Sequence, residues 1–426
     1  MQFVIVGNGV AGIEAALAIR ERLSPDEAEI TVISDETDYF FSRTALMYAF
    51  MDKLERCDLE PYERRVYDDK RIELVRARVV DLDAASQCVG LDNGESLDYD
   101  RLLLAVGASP RMVPFPGLDD VQDGLVHFVS MGDLDQCERL LWSTEQAVVV
   151  GGGLIGVELV ECLNHHGVDV TFLVREPWFW PAALGKEEAQ LVAEHLSEHG
   201  VDLRLEEEMS QILVDDDGRV SGVLTDQGNK LPCQMLGVAI GVVANIDWLD
   251  AVATPPARNR GILVDRSFRT TLPNVWAAGD CVEIDNGQRP GITETIWYSA
   301  KRHGKLAALS MLGEPVDYHP PIFFNSTKFF ELEFTTVGDV VGAPDGSTTL
   351  FRKMPDETIS QRIVANDHDE VIGFNMLGSR FDHTVLEDWI KQKRDLEWVR
   401  RHLDKAQFDV EFGRVPLEKM TEKEVS

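Results

Sequence analysis

The feature that most constrains the fold is a glycine pattern, G-x-G-x-x-G, that occurs twice. Each copy follows a short apolar run and precedes a segment of helical character. The glycines are Gly7, Gly9 and Gly12 in the first copy, and Gly151, Gly153 and Gly156 in the second. One copy alone is weak evidence, whereas two copies in a strand–loop–helix context indicate a nucleotide-binding unit present twice.

Further landmarks repeat with the glycine pattern. Asn93-Gly94 and Gln227-Gly228 each lie between short alternating segments, as hairpin turns do. An apolar strand follows each turn and ends in a glycine, Gly107 in the first unit and Gly241 in the second. The sequence therefore predicts an α/β fold with two Rossmann-like units, each a parallel sheet carrying a three-stranded antiparallel flap. Two dinucleotide sites in one chain favour hydride transfer between the two ligands.

The residues after the second strand of each unit are candidates for ribose recognition. In the first unit the strand 30–33 leads to Asp35 and Glu36. We favour Asp35, followed by Glu36, as the acceptor of a hydrogen bond from a ribose hydroxyl; the alternative is that both are only turn residues. In the second unit the strand 170–174 leads to Arg175 and Glu176. Arg175 would suit the 2′-phosphate of NADPH and Glu176 the plain ribose of NADH, so the choice between them stays open.

Charge and cysteine content exclude several classes of protein. The chain carries 74 acidic against 41 basic side chains, a net charge of −33, and such a field repels nucleic acid. No apolar run reaches the length of a membrane span, and the early first strand predicts that there is no signal peptide. The six cysteines are scattered and form neither C-x-x-C nor C-x₄-C. We expect a cytoplasmic protein without a metal site or a redox dithiol.

Four motifs in a fixed order resemble the FAD-dependent pyridine nucleotide-disulfide oxidoreductases, in particular the ferredoxin-, rubredoxin- and nitrite-reductase-like branch. They are the two glycine loops, the segment 99–111 (YDRLLLAVGASPR) and the segment 271–280 (TLPNVWAAGD). The resemblance covers about residues 1–316. It implies an FAD-binding domain made of residues 1–113 and 243–316, an NAD(P)-binding domain of residues 114–242, and a C-terminal interface or acceptor-side domain of residues 317–426.

The same resemblance implies binding roles for further residues. Asp280 would bond the flavin's ribityl chain beside Gly279, Val79 would touch adenine, Arg43 would lie next to the FAD pyrophosphate, and Trp297 would abut the isoalloxazine at the start of a helix. The motif glycines Gly107 and Gly241 and the motif arginine Arg111 complete the predicted cofactor-binding residues, with FAD as the cofactor and NAD(P)H as the co-substrate.

Two departures from the family pattern bear on the reaction. Disulfide reductases of the family carry C-x₄-C near the flavin, but residues 39–48 (YFFSRTALMY) contain no cysteine. Relatives also often pair a lysine with a glutamate at the flavin; the glutamate is present as Glu158, whereas Tyr48 occupies the lysine position. We predict that Tyr48 and Glu158 hydrogen-bond to each other on the nicotinamide side of the flavin, with ordinary packing of Tyr48 as the alternative.

Charge is distributed unevenly along the chain. Residues 317–426 hold 21 acidic and 14 basic side chains, so their net charge is −7 and that of the remainder is −26. The one basic concentration, which we call the basic cluster, comprises Lys391, Lys393, Arg394, Arg400, Arg401 and Lys405. It is a candidate dock for an acidic iron–sulfur protein, and a solvated face with local ion pairs is the alternative.

The sequence thus predicts an FAD-dependent NAD(P)H oxidoreductase that passes electrons to a ferredoxin- or rubredoxin-like partner without a protein disulfide. Two other functions remain open at this point. One is a flavin redox switch similar to apoptosis-inducing factor, and the other is the flavin subunit of a larger electron-transfer complex. A homodimer is compatible with each of them.

Overall fold

The computed structural model describes residues 1–287, 290–408 and 415–425. Residue contacts divide the chain into two compact units, each of which is described by itself. Unit 1 consists of Met1–Val113, His127–Arg139 and Gly241–His319, and unit 2 of Pro114–Val126, Leu140–Ile240 and Pro320–Ser426. The segment predicted as a separate C-terminal domain therefore groups with the second glycine loop. The three-domain division stays a prediction.

The first 113 residues contain the first glycine loop and its flap. Their elements are β1 (Gln2–Val6), α1 (Val10–Arg22), β2 (Glu29–Ser34), α2 (Leu46–Phe50), α3 (Arg65–Asp69), β3 (Ile72–Arg76), β4 (Val79–Asp83), β5 (Cys88–Leu91), β6 (Ser96–Asp98), β7 (Arg101–Leu104) and β8 (Ala108–Pro110).

The middle of the chain contains the second loop and its flap. Its elements are β9 (Leu125–Val126), α4 (Met131–Leu141), β10 (Gln146–Val150), α5 (Leu154–His165), β11 (Asp169–Val174), α6 (Lys186–Glu198), β12 (Asp202–Leu205), β13 (Met209–Val214), β14 (Val220–Thr225), β15 (Lys230–Pro232) and β16 (Met235–Val238).

The chain then returns to unit 1 before it ends in unit 2. The returning elements are β17 (Val242–Ala244), β18 (Ile262–Val264), β19 (Val275–Ala277), β20 (Val282–Ile284) and α7 (Trp297–Met311). The final elements are β21 (Phe324–Phe329), β22 (Leu332–Gly338), β23 (Thr348–Lys353), β24 (Ser360–Ala365), β25 (Val371–Leu377), α8 (His383–Lys391), α9 (Leu396–His402) and β26 (Thr421–Val425).

Unit 1 is organised around a parallel five-stranded sheet of order β19-β7-β1-β2-β3. Phe3, Val4 and Ile5 of β1 are fully buried, as expected of a central parallel strand covered on both faces. Helix α7 packs along α1 so closely that a Cβ atom on Gly304 would lie 2.1 Å from the carbonyl oxygen of Ala11. The late segment 241–319 therefore completes the sheet and the helix layer that hold the first glycine loop.

Unit 2 repeats the arrangement with a parallel sheet of order β12-β11-β10-β16-β9. Each unit also carries the antiparallel three-stranded flap that the repeated turns predict, β4-β5-β6 in unit 1 and β13-β14-β15 in unit 2. The α/β fold with two Rossmann-like units is thereby confirmed.

The last segment forms a six-stranded sheet of order β21-β22-β25-β24-β23-β26, in which all described pairings are antiparallel. Helices α8 and α9 cover this sheet, with Leu386, Trp389 and Val399 buried in one core with Phe374. In the sequence, alternation of apolar and polar residues at 331–334 and 369–374 indicates β22 and β25. Strand β24, by contrast, is buried along its whole length and shows no alternation.

Candidate functional site

The first glycine loop has no room for side chains at its two outer positions. Gly7 has φ +110°, and a Cβ atom there would lie 2.1 Å from the carbonyl oxygen of Ala105. A Cβ atom on Gly12 would lie 1.9 Å from the carbonyl oxygen of Gly7. Around Gly9, by contrast, nothing lies within 4 Å. The loop is thus tightly built against the protein and exposes its backbone at the middle glycine, where a pyrophosphate would approach.

The second loop reproduces this geometry. Gly151 has φ +115°, and its Cβ atom would lie 2.3 Å from the carbonyl oxygen of Ala239, while that of Gly156 would lie 2.1 Å from the carbonyl oxygen of Gly151. Gly153 again has nothing within 4 Å. Each loop therefore offers the free N-terminus of a long helix, α1 or α5, to an anionic ligand.

Three segments of unit 1 meet beside the first loop. A Cβ atom on Gly279, whose φ is +85°, would lie 3.0 Å from Ala11 Cβ and 3.8 Å from Ala300 Cβ. The glycine loop, the end of β19 and the first turn of α7 therefore converge, bringing Gly279, Asp280 and Trp297 to the same region.

Asp280 shows that this region suits a polar ligand. Burial raises the pKa of its carboxyl to about 6, against the opposing electrostatic effect of His303 and Arg43. Two further polar atoms, Asn8 Oδ1 and Trp297 Nε1, are buried without a hydrogen-bond partner among the described residues. Buried polar atoms need partners, and a dinucleotide with hydroxyl and carbonyl groups would supply them. The residues present fit FAD.

The carboxylates after β2 are both paired. Asp35 accepts a hydrogen bond from Arg78 at 2.7 Å. Glu36 binds Arg43 through both oxygens, at 2.9 and 2.6 Å, and accepts from the backbone N–H of Met131 at 3.1 Å. Arg43 and Glu36 are thus brought together, whereas the sequence pattern predicted separate roles for the two residues.

The remaining predicted residues of unit 1 lie either in the flap, as Val79 does, or beside strand β8, as Gly107 and Arg111 do. Val79 is buried at the start of β4. The backbone N–H of Arg111 donates to the carbonyl oxygen of Gly241 at 2.9 Å, next to the pairing of β8 with β17. Gly107 has φ +68° and no neighbour within 4 Å. The pairing of β8 with β17 joins two chain segments of unit 1 that are far apart in the sequence.

A buried network that the sequence did not indicate fixes the start of α7. Glu294 accepts hydrogen bonds from Tyr318 at 2.6 Å and from Ser299 at 2.8 Å, and it faces His303 Nε2 at 3.1 Å. Burial by itself would raise the pKa of Glu294, but these hydrogen bonds outweigh it and hold the pKa at about 2. A histidine and a glutamate nine residues apart near a helix start were the available signal.

In unit 2, Arg175 is held by carboxylates. It pairs with Glu176 at 2.9 Å and lies 3.8 Å from Glu208. The guanidinium is therefore neutralised locally. The end of β11 carries more negative than positive charge.

Glu158 lies on α5, directly after the second glycine loop. Burial, reinforced by the negative charge of Glu161, raises the pKa of Glu158 to about 7, although Lys328 acts in the opposite direction. Tyr48 lies in α2 of unit 1, where its carbonyl oxygen accepts from the backbone N–H of Lys53 at 2.8 Å. The two residues belong to different units, so their hydrogen bond stays a prediction.

Two ion pairs, one partly buried and one buried, tie the final segment to the rest of unit 2, and the sequence indicated neither. Glu161 accepts from Lys328 at 2.9 Å and from the backbone N–H of Phe330 at 3.0 Å. Glu188, which is fully buried, binds Arg362 through both oxygens at 2.6 and 2.7 Å.

The basic cluster is largely paired with nearby acids. Lys391 binds Glu387, Lys393 binds Glu370, and Arg400 and Arg401 share Glu397, with Arg400 also reaching Glu422. Arg394 stacks over Trp398 at 4.3 Å. Within the part of the chain that the structure describes, only Arg394 and Lys405 of the cluster lack an ion pair.

All six cysteines lie among the described residues and are free thiols. Burial raises the pKa of Cys137, Cys233 and Cys281, which makes these thiols unreactive. Among residues 1–287, 290–408 and 415–425, no helix combines the length and hydropathy needed to cross a bilayer.

Known proteins of the pyridine nucleotide-disulphide oxidoreductase type resemble this chain in sequence. Residues 1–304 match the family model described as pyridine nucleotide-disulphide oxidoreductase. The chain is 30% identical over 347 residues to rhodocoxin reductase of Rhodococcus erythropolis, covering 80% of this chain and 79% of that protein. It is 27% identical over 401 residues to the ferredoxin–NAD(+) reductase component of the p-cumate 2,3-dioxygenase system of Pseudomonas putida, covering 93% and 94%.

A similar solved structure is that of the covalent putidaredoxin reductase–putidaredoxin complex. The TM-score is 0.80 at 22% sequence identity, with 92% of this chain and 93% of the other covered. This likeness supports the fold.

Proposed function

The chain belongs to the pyridine nucleotide-disulphide oxidoreductase family, and from this premise we propose that it oxidises NADH and delivers the electrons to a ferredoxin-type protein. It is an FAD-dependent NAD(P)H oxidoreductase. The observation that carries the proposal is the pair of equivalent glycine loops combined with the absence of cysteine from residues 39–48. A chain with two dinucleotide sites and no dithiol beside them has to pass electrons to an external acceptor.

The residues of unit 1 have defined roles toward FAD in this proposal. The loop Gly7–Gly12 and the N-terminus of α1 bind the pyrophosphate, and Asp280 binds a hydroxyl of the linking chain. Asp35 or Glu36 binds the ribose, and Arg43, positioned by Glu36, adds positive charge near the phosphates. The first turn of α7 with Trp297 borders the ring system. FAD held by these residues would supply the chemistry for accepting a hydride and passing electrons on singly.

NADH is the proposed nucleotide because the end of β11 is acidic. Glu176 and Glu208 both engage Arg175, which removes the free cation that a 2′-phosphate needs. A carboxylate at this position instead accepts from the 2′- and 3′-hydroxyls of an unphosphorylated ribose.

For the acceptor we propose an acidic iron–sulfur protein that docks on the basic cluster. Charge complementarity accelerates encounter between redox partners. Because four of the six cations are locally paired, Arg394 and Lys405 supply most of the attraction. Reversing both charges is expected to lower the rate of ferredoxin reduction about tenfold at low salt, whereas reversing Arg400 and Arg401 has a smaller effect. Equal effects of the two pairs would argue against this surface.

The reaction is tested by anaerobic rapid mixing of the purified flavoprotein with NADH or NADPH. We expect NADH to bleach the flavin band fast and NADPH at least tenfold more slowly at equal concentration. Adding a [2Fe–2S] ferredoxin with cytochrome c should then restore the band and reduce the cytochrome. Flavin that neither nucleotide reduces would overturn the proposal.

The same experiment separates the two alternative functions. Slow reduction followed by a change in mass, with no ferredoxin-dependent turnover, would indicate a redox switch similar to apoptosis-inducing factor. Turnover that appears only with a co-purifying protein would indicate a subunit of a larger complex. A homodimer and a cytoplasmic location also stay proposals. The location is supported by the six free thiols, which suit a reducing compartment.

A further inference from the structure

Unit 2 contains a cluster of metal-ligating side chains outside the nucleotide loops. His195 lies on α6, His199 caps the C-terminal end of that helix, and Glu331 lies in the turn between β21 and β22. Each residue offers one ligand atom, and the three atoms all lie within 4.8 Å of one another. Two histidines four residues apart on a helix face the same side, which is the spacing used in many zinc sites.

The orientation of His199 points its Nε2 atom toward the cluster. Its Nδ1 atom lies 2.8 Å from the backbone carbonyl oxygen of His195. A carbonyl oxygen only accepts, so Nδ1 carries the hydrogen and Nε2 has the lone pair in the neutral ring. That Nε2 atom faces a carboxylate oxygen of Glu331 at 3.2 Å.

His195 also has a ring nitrogen that the protein leaves unpaired. Its Nε2 atom is buried and has no hydrogen-bond partner among the described residues. In His199 the Nδ1 atom is tethered to backbone and Nε2 is presented, as is usual for histidines that bind a metal ion.

Neighbouring aromatic packing fixes the two rings. Phe330 lies against His199 with ring centroids 4.5 Å apart, and the rings of His195 and His199 are also 4.5 Å apart. The two imidazoles thus have little freedom to turn away. Glu331, whose side chain is 81% exposed, can adjust to complete the site.

The donor set and its dimensions suit Zn²⁺. Two imidazole nitrogens and one carboxylate oxygen are ligands that zinc accepts readily, whereas calcium and magnesium prefer all-oxygen sites. In a tetrahedron with bonds of about 2.0–2.1 Å, neighbouring ligand atoms lie about 3.3 Å apart. The separation of 3.2 Å between His199 Nε2 and Glu331 matches that edge, and the other two separations lie within 4.8 Å.

We propose that His195, His199 and Glu331 form a Zn²⁺ site that fastens the end of α6 to the β21–β22 turn, with water as the fourth ligand. Both elements belong to unit 2, where the ion would add to the two ion pairs Glu161–Lys328 and Glu188–Arg362. The site is structural, since it lies on residues that the nucleotide loops do not use.

The test uses the full-length flavoprotein after dialysis against a chelator. Titration with Co²⁺, as a coloured substitute for Zn²⁺, should produce visible d–d absorption that saturates at one equivalent and is displaced by Zn²⁺. Calorimetry with Zn²⁺ should give a dissociation constant in the micromolar range or tighter. The melting temperature should rise when Zn²⁺ is present in excess, because an ion that binds only the folded state stabilises it.

Matched variants decide whether these residues are the ligands. His199→Ala and Glu331→Gln should each weaken Zn²⁺ binding at least tenfold and abolish the thermal shift. His165→Ala/His166→Ala, which removes the other histidine pair on a helix end, should leave both unchanged. Glu331→Gln alters an exposed side chain and is not expected to disturb folding. Zn²⁺ binding that is equal in the parent, His199→Ala and Glu331→Gln proteins, or absent from the parent, would overturn the site and leave a protonated histidine–glutamate ion pair.

Discussion

Glu14 and Glu158 occupy equivalent positions in the two repeats, each two residues after the last glycine of its loop, yet their surroundings differ. Glu14 is buried and receives Lys301 at 3.1 Å, Lys305 at 3.2 Å and the hydroxyl of Tyr62 at 3.0 Å. Among the described residues no cation forms an ion pair with Glu158; its charged neighbours are a second carboxylate, Glu161, and Lys328, which is paired with Glu161.

The comparison separates what the repeat provides from what each unit adds. Backbone geometry is common to both loops, down to the close approach of Gly12 and Gly156 to the first glycine of each loop. The charge around the glutamate that follows each loop depends on other segments. Two lysines of α7 form ion pairs with Glu14, whereas Lys328 of β21 pairs with Glu161 and not with Glu158. One carboxylate is therefore a structural anchor and the other is kept near half-protonation at neutral pH.

Removing the lysines of Glu14 should give the largest effect. Lys301→Met/Lys305→Met leaves a buried carboxylate without cations, and we expect a loss of about 3 kcal/mol in the free energy of unfolding at pH 7. Chemical denaturation measures it. The added change Glu14→Gln should recover part of the loss; a triple variant no more stable than the double would show that lysine packing, not charge, matters.

Substitution of the middle glycine of each loop should impair the binding of one nucleotide and leave the other unaffected. Gly9→Ala and Gly153→Ala introduce a methyl group that meets no protein atom within 4 Å but lies where the pyrophosphate would approach. A displacement of about 1 Å can cost on the order of a hundredfold. Gly9→Ala should purify with little flavin, whereas Gly153→Ala should keep its flavin and react with NADH about a hundredfold more slowly. Flavin loss in Gly153→Ala would reverse the assignment of the loops.

Glu36 after β2 and Glu176 after β11 should likewise affect different nucleotides, FAD and NADH respectively, but with smaller effects than the glycines. Glu176→Ala should raise the KM for NADH about tenfold with kcat nearly unchanged, since it removes hydrogen bonds between a charged group and the ribose. It should also narrow the preference for NADH over NADPH, because Arg175 is released. Glu36→Ala should leave the KM for NADH unaltered and weaken FAD retention. Steady-state kinetics with both nucleotides measure these changes.

Ionisation of Glu158 should make the free energy of unfolding depend on pH. The folded protein keeps this proton up to a pH of about 7, whereas an ordinary glutamate loses it near 4.5. The folded state therefore binds more protons in that window, and stability falls as pH rises through it. Glu158→Gln cannot ionise, so its stability relative to the parent should be unchanged below pH 4.5 and greater by up to about 3 kcal/mol above pH 7. Urea denaturation at pH 5 and pH 8 tests this; equal differences at both pH values would contradict it.

Much of the fold could be predicted because its determinants are local. The glycine loops, the flap turns at Asn93-Gly94 and Gln227-Gly228, and the helix that begins at Trp297 each leave a short pattern in the sequence. Four strands of the final sheet show no such pattern in the sequence. Strand β24, for example, is buried along its whole length and therefore lacks the alternation of a half-exposed strand.

The sequence by itself determined two nucleotide-binding units, the family and the missing dithiol, because glycine spacing and cysteine content are read along the chain. Only the tertiary structure decided which charges meet. Glu14 with Lys301, Glu188 with Arg362, and His199 with Glu331 are joined across more than a hundred residues. The physical reason is that an ion pair or a ligand set depends on distances of a few ångströms in space, and such proximity between distant segments leaves no periodicity in the sequence.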